Sequence, residues 1–173
     1  WTGRHRNSRG QSSQLPDAPP NPKPVQSPPP ERMTGGGGGR VTLRIAARHA
    51  DHWNVWGGPQ VVSRKGKILD EHCAAVGRDP KTIRRSVNMS LLITDKKDAI
   101  EALADTIAKR MGRHAADARD TCLAGTPGQI RDKLEELKAA RVDTVFVPTM
   151  FRPVDELRRD LDRFIAEIAP AFR

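Results

Sequence analysis

The sequence predicts an α/β protein built on a parallel sheet, and three observations carry that expectation. Apolar patterns of helix and strand type alternate from about residue 40 to the end, a sharp helix start stands at Gly125-Thr126-Pro127-Gly128-Gln129-Ile130, and 173 residues at 36% hydrophobic content are enough for one domain of ordinary size. Strands that alternate with helices pair in parallel, with helices covering both faces or the sheet closing into a barrel.

The composition breaks at about residue 40. Ahead of the break lie Pro16, Pro19, Pro20, Pro22, Pro24, the triplet Pro28 to Pro30 and the run Gly35 to Gly39, with almost no large apolar side chain. Such a segment buries too little to offset its own ordering entropy, so residues 1–40 are expected to be extended or disordered and residues 41–173 to form the folded domain. A chain that opens on Trp1 rather than Met reads as a fragment or a doubtful reading frame.

Beyond the break the elements follow in order. Val41 to Ala50 places apolar residues at 43, 46, 47 and 50, a helical spacing, and Asp51 to Trp56 is a short strand ended by Gly57-Gly58-Pro59. Val61, Val62, Ile68, Leu69, Cys73 and Val76 share one side of a second helix that closes at Gly77. Ile83 to Ile93 reads as the next strand and residues 96–111 as an amphipathic helix carrying Ile100, Leu103, Ala104, Ile107 and Met111. At the next helix Thr126 caps with its hydroxyl, Pro127 suits the first helical position, Gln129 completes a capping box, and Ile130, Leu134 and Leu137 supply the buried side. Val142 to Val147 is an apolar strand, and Pro153 opens a last helix through Leu157, Leu161, Phe164, Ile165 and Ile168. The expected order from residue 40 is αβαβααβα.

Charge and cysteine usage exclude several function classes. The net charge of +9 divides into six Lys/Arg against two Asp/Glu in residues 1–40 and 24 against 19 in residues 41–173, where acids and bases alternate as in Arg131-Asp132-Lys133. That is a solvated, locally paired surface, and with no tyrosine and no interleaving of arginine with aromatics it argues against a nucleic-acid partner. No stretch approaches the roughly 18 to 20 apolar residues of a membrane span, nor does the start resemble a secretory signal. Cys73 and Cys122 are too few and too far apart for a disulfide framework or a metal knuckle, which suits a reducing cytoplasm and predicts no metal.

Several segments together are similar to a known family. Asn21-Pro22-Lys23-Pro24-Val25-Gln26, the Gly35 to Gly39 run, Thr42 to Asn54, the Gly125-Thr126-Pro127 helix start and Val142-Asp143-Thr144 resemble, in order and spacing, the C-terminal half of the luciferase-like monooxygenases, and among them the oxidoreductases that use the deazaflavin coenzyme F420. The resemblance covers about residues 18–173 and implies the C-terminal half of a (β/α)8 TIM barrel. It also implies hydride transfer between F420, with FMN as the alternative, and a small organic substrate. In the family the amides of a glycine-rich turn approach the cofactor phosphate, which assigns that part to Gly35, Gly36, Gly37 and Gly38. The strand end Asn54, Val55, Trp56, Gly57 and Gly58 would face the same cofactor. The family's proton-transfer groups come largely from the N-terminal strands, so the resemblance assigns no catalytic residue here and implies that the chain is inert alone, completed by self-association or by an N-terminal half-barrel partner.

Other readings stand beside these. A bare five-glycine run is also what a flexible linker looks like. His49, His52, His72 and His114 have no partner at catalytic spacing and read as structural or solvated; on the strand, His52 and Trp53 point to opposite faces, with Trp53 in the core, and Met89 and Met150 are packing residues. Glu31-Arg32-Met33-Thr34 makes a poor interior barrel strand, and Arg141 stands where the family carries glycine, at a cost if the backbone there is left-handed. The alternative function is a noncatalytic α/β binding or assembly module. A third is a basic nucleic-acid binder acting through residues 1–40.

Overall fold

The computed structural model describes residues 6–19, 21–112 and 114–172. It separates into two compact units, Trp1–Glu31 and Arg32–Arg173. Of the segment expected to be extended or disordered, residues 1–5 and Pro20 lie outside the described residues. In the first unit β1 (Arg6–Arg9) and β2 (Gln14–Ala18) pair antiparallel, with a register irregularity between Arg6 and Ser8 and a turn closed by Gly10 N–H donating to Ser13 O at 2.8 Å. This hairpin has no apolar face, and its Leu15 is 53% exposed. Residues 21–32 then carry no regular element.

The second unit runs β3 (Met33–Gly35), α1 (Thr42–His49), β4 (His52–Trp56), α2 (Pro59–Ala75), β5 (Arg84–Asn88), β6 (Ser90–Ile93), α3 (Lys97–Met111), α4 (Ala115–Asp120), β7 (Cys122–Gly125), α5 (Pro127–Ala139), β8 (Thr144–Phe146) and α6 (Val154–Glu167). All strand pairs in it are parallel: β3-β4-β5-β8 form a four-stranded sheet and β6-β7 a two-stranded one. The alternating α/β order is therefore as expected, with differences in detail. The single strand expected over Ile83 to Ile93 changes partners at Met89, whose N–H donates to Phe146 O while the next amide, Ser90, donates to Thr121 O. Two elements, α4 and β7, were not expected at all. The Met33 strand pairs in the sheet despite its polar flank because it is an edge: Met33 is 51% exposed, and Arg32 is tied to Asp51 by backbone and side chain, at 2.9 and 3.1 Å.

Alternation along the strands sorts the sheet's two faces. Trp53, Val55 and Val87 are buried with Leu43, Ala46 and Ala47 of α1 and Val62, Leu69 and Cys73 of α2. Arg85 shares that face with its guanidinium almost wholly buried, donating to Asp70 Oδ1 at 2.5 Å. Gly66 explains how α2 lies so close: a Cβ there would collide with the Arg85 guanidinium, so a residue that weakens helix interiors is what the packing requires. The opposite face carries Met33, Asn54, Ser86, Asn88, Thr144 and Phe146 and is polar or half-exposed. A second apolar cluster joins α3 and α4 to β7 through Leu103, Ile107, Ala118 and Cys122, with Phe151 and Trp56. No helix among the described residues is long and apolar enough to cross a membrane.

Local signals fix the helix ends. The capping box is complete: Gln129 N–H donates to Thr126 Oγ1 at 3.4 Å and Thr126 N–H to Gln129 Oε1 at 2.9 Å, worth about 1 kcal/mol. Helix α5 ends in a Schellman turn, Arg141 N–H donating to Lys138 O and Val142 N–H to Leu137 O, with Arg141 at φ +66°. Helix α2 ends in the same turn with Gly77, φ +68°, at the equivalent place. Arg141→Gly relieves a left-handed arginine at the loss of an exposed 3.3 Å pair with Asp70, and exposed pairs contribute little. We expect a net gain of about 0.5–1 kcal/mol, read as a higher urea midpoint. A lower midpoint would show that the ion pair outweighs the strain.

Candidate functional site

Because β3, β4, β5 and β8 run parallel, their C-terminal ends lie at one edge of the sheet, where (β/α) proteins gather their functional loops. The glycine run leaves β3 there, and it is held rather than loose. Gly36 N–H donates to Asn54 O at 2.9 Å and Gly36 O accepts from Trp53 Nε1 at 2.8 Å; Gly38 O accepts from Leu43 N–H at 3.0 Å, and His72 Nε2 lies 2.8 Å from Gly39 O, which places the ring proton on that nitrogen. Gly36 has φ +120°, a conformation side chains rarely adopt, and a Cβ on Gly38 would stand 2.8 Å from Thr42 Oγ1. The N–H groups of Gly37, Gly38 and Gly39 donate to no group among the described residues. Lys65 of α2 runs beside them, its Cε 3.6 Å from the place a Gly37 Cβ would take.

The end of β4 completes the edge. On its polar face Asn54 Nδ2 donates to Ser86 Oγ at 2.8 Å, and Asn88 Nδ2 donates to Asn54 Oδ1 at 2.6 Å, a three-residue ladder across β4 and β5. Trp56 meets Phe151 edge to face at 5.8 Å, and Trp56, Gly57, Val61, Asp117 and Asp120 line a small cleft of about 210 Å³. Asp120 reaches from α4 to accept the Gly58 N–H at 2.6 Å, placing a carboxylate at the start of α2. The Val55 side chain is buried in the core between sheet and helices, with its Cγ2 3.4 Å from the place a Gly37 Cβ would take.

The histidines divide by position. His72 holds the glycine turn, His52 is buried on the polar face with its ring 6.3 Å from Phe146, and His49 and His114 are exposed. Burial pushes the Cys122 thiol up to about 11 and raises Cys73, which favours the protonated, less reactive form of each. Sequence reasoning missed Lys65, Ser86, Asn88 and Asp120. A signal existed for two of them, since Arg84, Ser86 and Asn88 alternate as polar residues along their strand. Lys65 and Asp120 carried none.

This arrangement can hold an anionic group at a glycine cradle beside a cation, next to a polar ladder and an aromatic wall. Comparison with known proteins bears on the fold. No curated protein matches the sequence. Among solved structures, the coenzyme F420-dependent tetrahydromethanopterin reductase of Methanopyrus kandleri is similar at 20% identity and TM-score 0.70, over 96% of this chain and 58% of that one. An F420-dependent secondary alcohol dehydrogenase in complex with an F420-acetone adduct is similar at 16% identity and TM-score 0.73, over 98% and 56%. The oxygenating constituent of 3,6-diketocamphane monooxygenase of Pseudomonas putida, in complex with FMN, is similar at 15% identity and TM-score 0.56, over 96% and 58%. The chain thus spans somewhat more than half the length of these structures, and the likeness shows the fold, a partial (β/α) barrel. The family model for luciferase-like monooxygenases matches residues 1–144, and the chain belongs to that family.

Proposed function

We propose that this chain supplies the C-terminal half of a luciferase-like barrel that binds coenzyme F420, with FMN as the alternative, and works in hydride transfer to or from a small organic substrate. The observation that carries the reading is the glycine turn: a fixed loop at the functional edge with three unengaged amides, a positive-φ glycine and an adjacent lysine. A phosphate fits such a cradle, because closely spaced N–H groups can converge on it only where no Cβ intervenes. When bound, the deazaflavin supplies the ring carbon that carries hydride. The amides of Gly37, Gly38 and Gly39 then hold the phosphate and Lys65 offsets its charge. Trp53 and His72 keep the turn in shape. The Asn54–Ser86–Asn88 ladder offers fixed polar groups at the sheet edge, and Trp56 with Phe151 excludes water from one side. No side chain here is assigned to proton transfer, and the chain by itself binds cofactor without turning over.

A second reading, an assembly module, draws on the two open edges of the four-stranded sheet, β3 and β8, where Met33 is 51% and Phe146 40% exposed. One experiment separates the two. F420 and FMN are titrated by fluorescence into the chain and into Gly36→Ala/Gly37→Ala, alongside light scattering. We expect saturable binding that weakens about tenfold or more in the double variant, roughly 1.4 kcal/mol, with unchanged circular dichroism. Equal affinities would remove the glycines from the site. No binding together with concentration-dependent self-association would favour the assembly module.

A further inference from the structure

The ribbon β6-β7 has two outer edges, and they are treated differently. Ser90 N–H donates to Thr121 O and Thr94 N–H to Gly125 O, so β7 turns the backbone groups of its odd residues toward β6 and those of Cys122 and Ala124 away from it. Away from β6, Cys122 O accepts from Lys133 Nζ of α5 at 2.9 Å, and the same ammonium donates to Asp120 O at 3.2 Å. Ala124 N–H and C=O make no hydrogen bond among the described residues. They border a cavity of about 560 Å³ between α3, α4 and α5, a volume typical of small-ligand sites.

We propose that this cavity binds a small organic carboxylate, held by the Lys133 ammonium and the Ala124 N–H with its apolar portion against Ile100 and Cys122. Lys133 donates to two backbone carbonyls and has no carboxylate within ion-pairing distance among the described residues; burial lowers its pKa, Arg119 adds to that, and the Asp120 and Glu136 carboxylates oppose it from farther away without cancelling it. The other charged groups around the cavity are each engaged elsewhere or exposed. Asp120 gives an oxygen to Gly58 N–H, Arg119 is paired with Glu101, and Asp95 and Lys97 are exposed at the lining. Ala124 C=O beside its own N–H disfavours a dianion, whereas one negative charge matches the one ammonium at this wall that has no ion-pair partner among the described residues. Ile100, Ala116 and the Cys122 thiol, whose pKa burial pushes up to about 11, give the lining an apolar part among otherwise polar residues such as Thr94, Thr126 and Gln129. Asp120 reaches both places at once, since its backbone carbonyl holds Lys133 while its carboxylate holds the start of α2. The inference goes beyond the proposed cofactor site and does not depend on it.

The test is a titration of the whole chain with benzoate, followed by the amide ¹⁵N shift of Ala124. A saturable shift is expected, weakened about tenfold or more in Lys133→Met and with the neutral isostere benzamide on the unaltered chain. The benzamide arm keeps the test decisive if Lys133→Met does not fold. Affinity should also fall with rising pH at a lower pH than an ordinary lysine would dictate. No saturable shift at Ala124, or equal binding of benzamide and benzoate, would overturn the proposal.

Discussion

Replacing Asp160 by alanine is expected to destabilise the second unit by about 3–5 kcal/mol. The reason lies on the other edge of the same ribbon. Strand β6 turns Leu91 and Ile93 outward, and side chains of the C-terminal segment meet them as a neighbouring strand would. Arg152 Nη1 donates to Leu91 O at 2.6 Å and to Asp160 Oδ2 at 2.5 Å, Ile93 N–H donates to that same carboxylate oxygen at 3.3 Å, and Arg163 Nη1 donates to Ile93 O at 3.2 Å. Asp160 is 7% exposed, so its removal leaves the buried Ile93 amide without its acceptor and the half-buried Arg152 guanidinium with only Leu91 O and Glu156. Arg152 keeps a 3.6 Å pair with Glu156, which places the expected loss toward the lower end of the range. Asp160→Asn retains an acceptor oxygen and should lose distinctly less. Urea unfolding of the two variants measures both, and a loss below about 1 kcal/mol for the alanine variant would mean that water replaces the carboxylate freely.

Trp53→Ala is the second large effect, about 3–5 kcal/mol, because a fully buried indole at 0% exposure is exchanged for a cavity between the sheet and α1 and α2. Trp53→Phe is the more informative change. It keeps most of the apolar volume and deletes the Nε1–H that Gly36 O accepts at 2.8 Å, so stability should fall by only about 1–2 kcal/mol. The glycine turn nevertheless loses one of its fastenings. If the turn is the cofactor cradle, F420 affinity should drop further than stability does, as read by titration beside a thermal melt. Unaltered affinity in a stable Trp53→Phe protein would separate the turn's shape from binding.

Much of the fold was legible because its signals are local. The start of α5 rests on residues 126 to 129, each a few atoms from the next, and the capping box formed as the residues dictate. The burial of Trp53 followed from its place on an alternating strand, whereas the left-handed backbone at Arg141 was only a condition attached to the family resemblance, and its φ of +66° comes from the structure. The residues proposed for the cofactor were picked out as a glycine run and a strand end, yet the run alone could not be told from a linker. What distinguishes them is four hydrogen bonds to Asn54, Trp53, Leu43 and His72, which come from three other elements, β4, α1 and α2.

Tertiary structure alone decided the rest, and the reason is sequence separation. Strand β7 is only Cys122-Leu123-Ala124-Gly125, too short to show a period, and it is a strand because the long β5–β6 segment changes partners at Met89 and offers it an edge. The Asn54–Ser86–Asn88 ladder joins residues more than thirty apart, and Asp120 meets Gly58 across 62 positions. Such pairs depend on strand register, and a shift of one residue would turn each side chain to the opposite face. The amino-acid order by itself determined most of the helices and strands after residue 40, though not α4 or β7, as well as where α5 starts and which residues of β4 are core. The register of the sheet determined which polar groups share an edge, because only parallel pairing in that register brings their strand ends together.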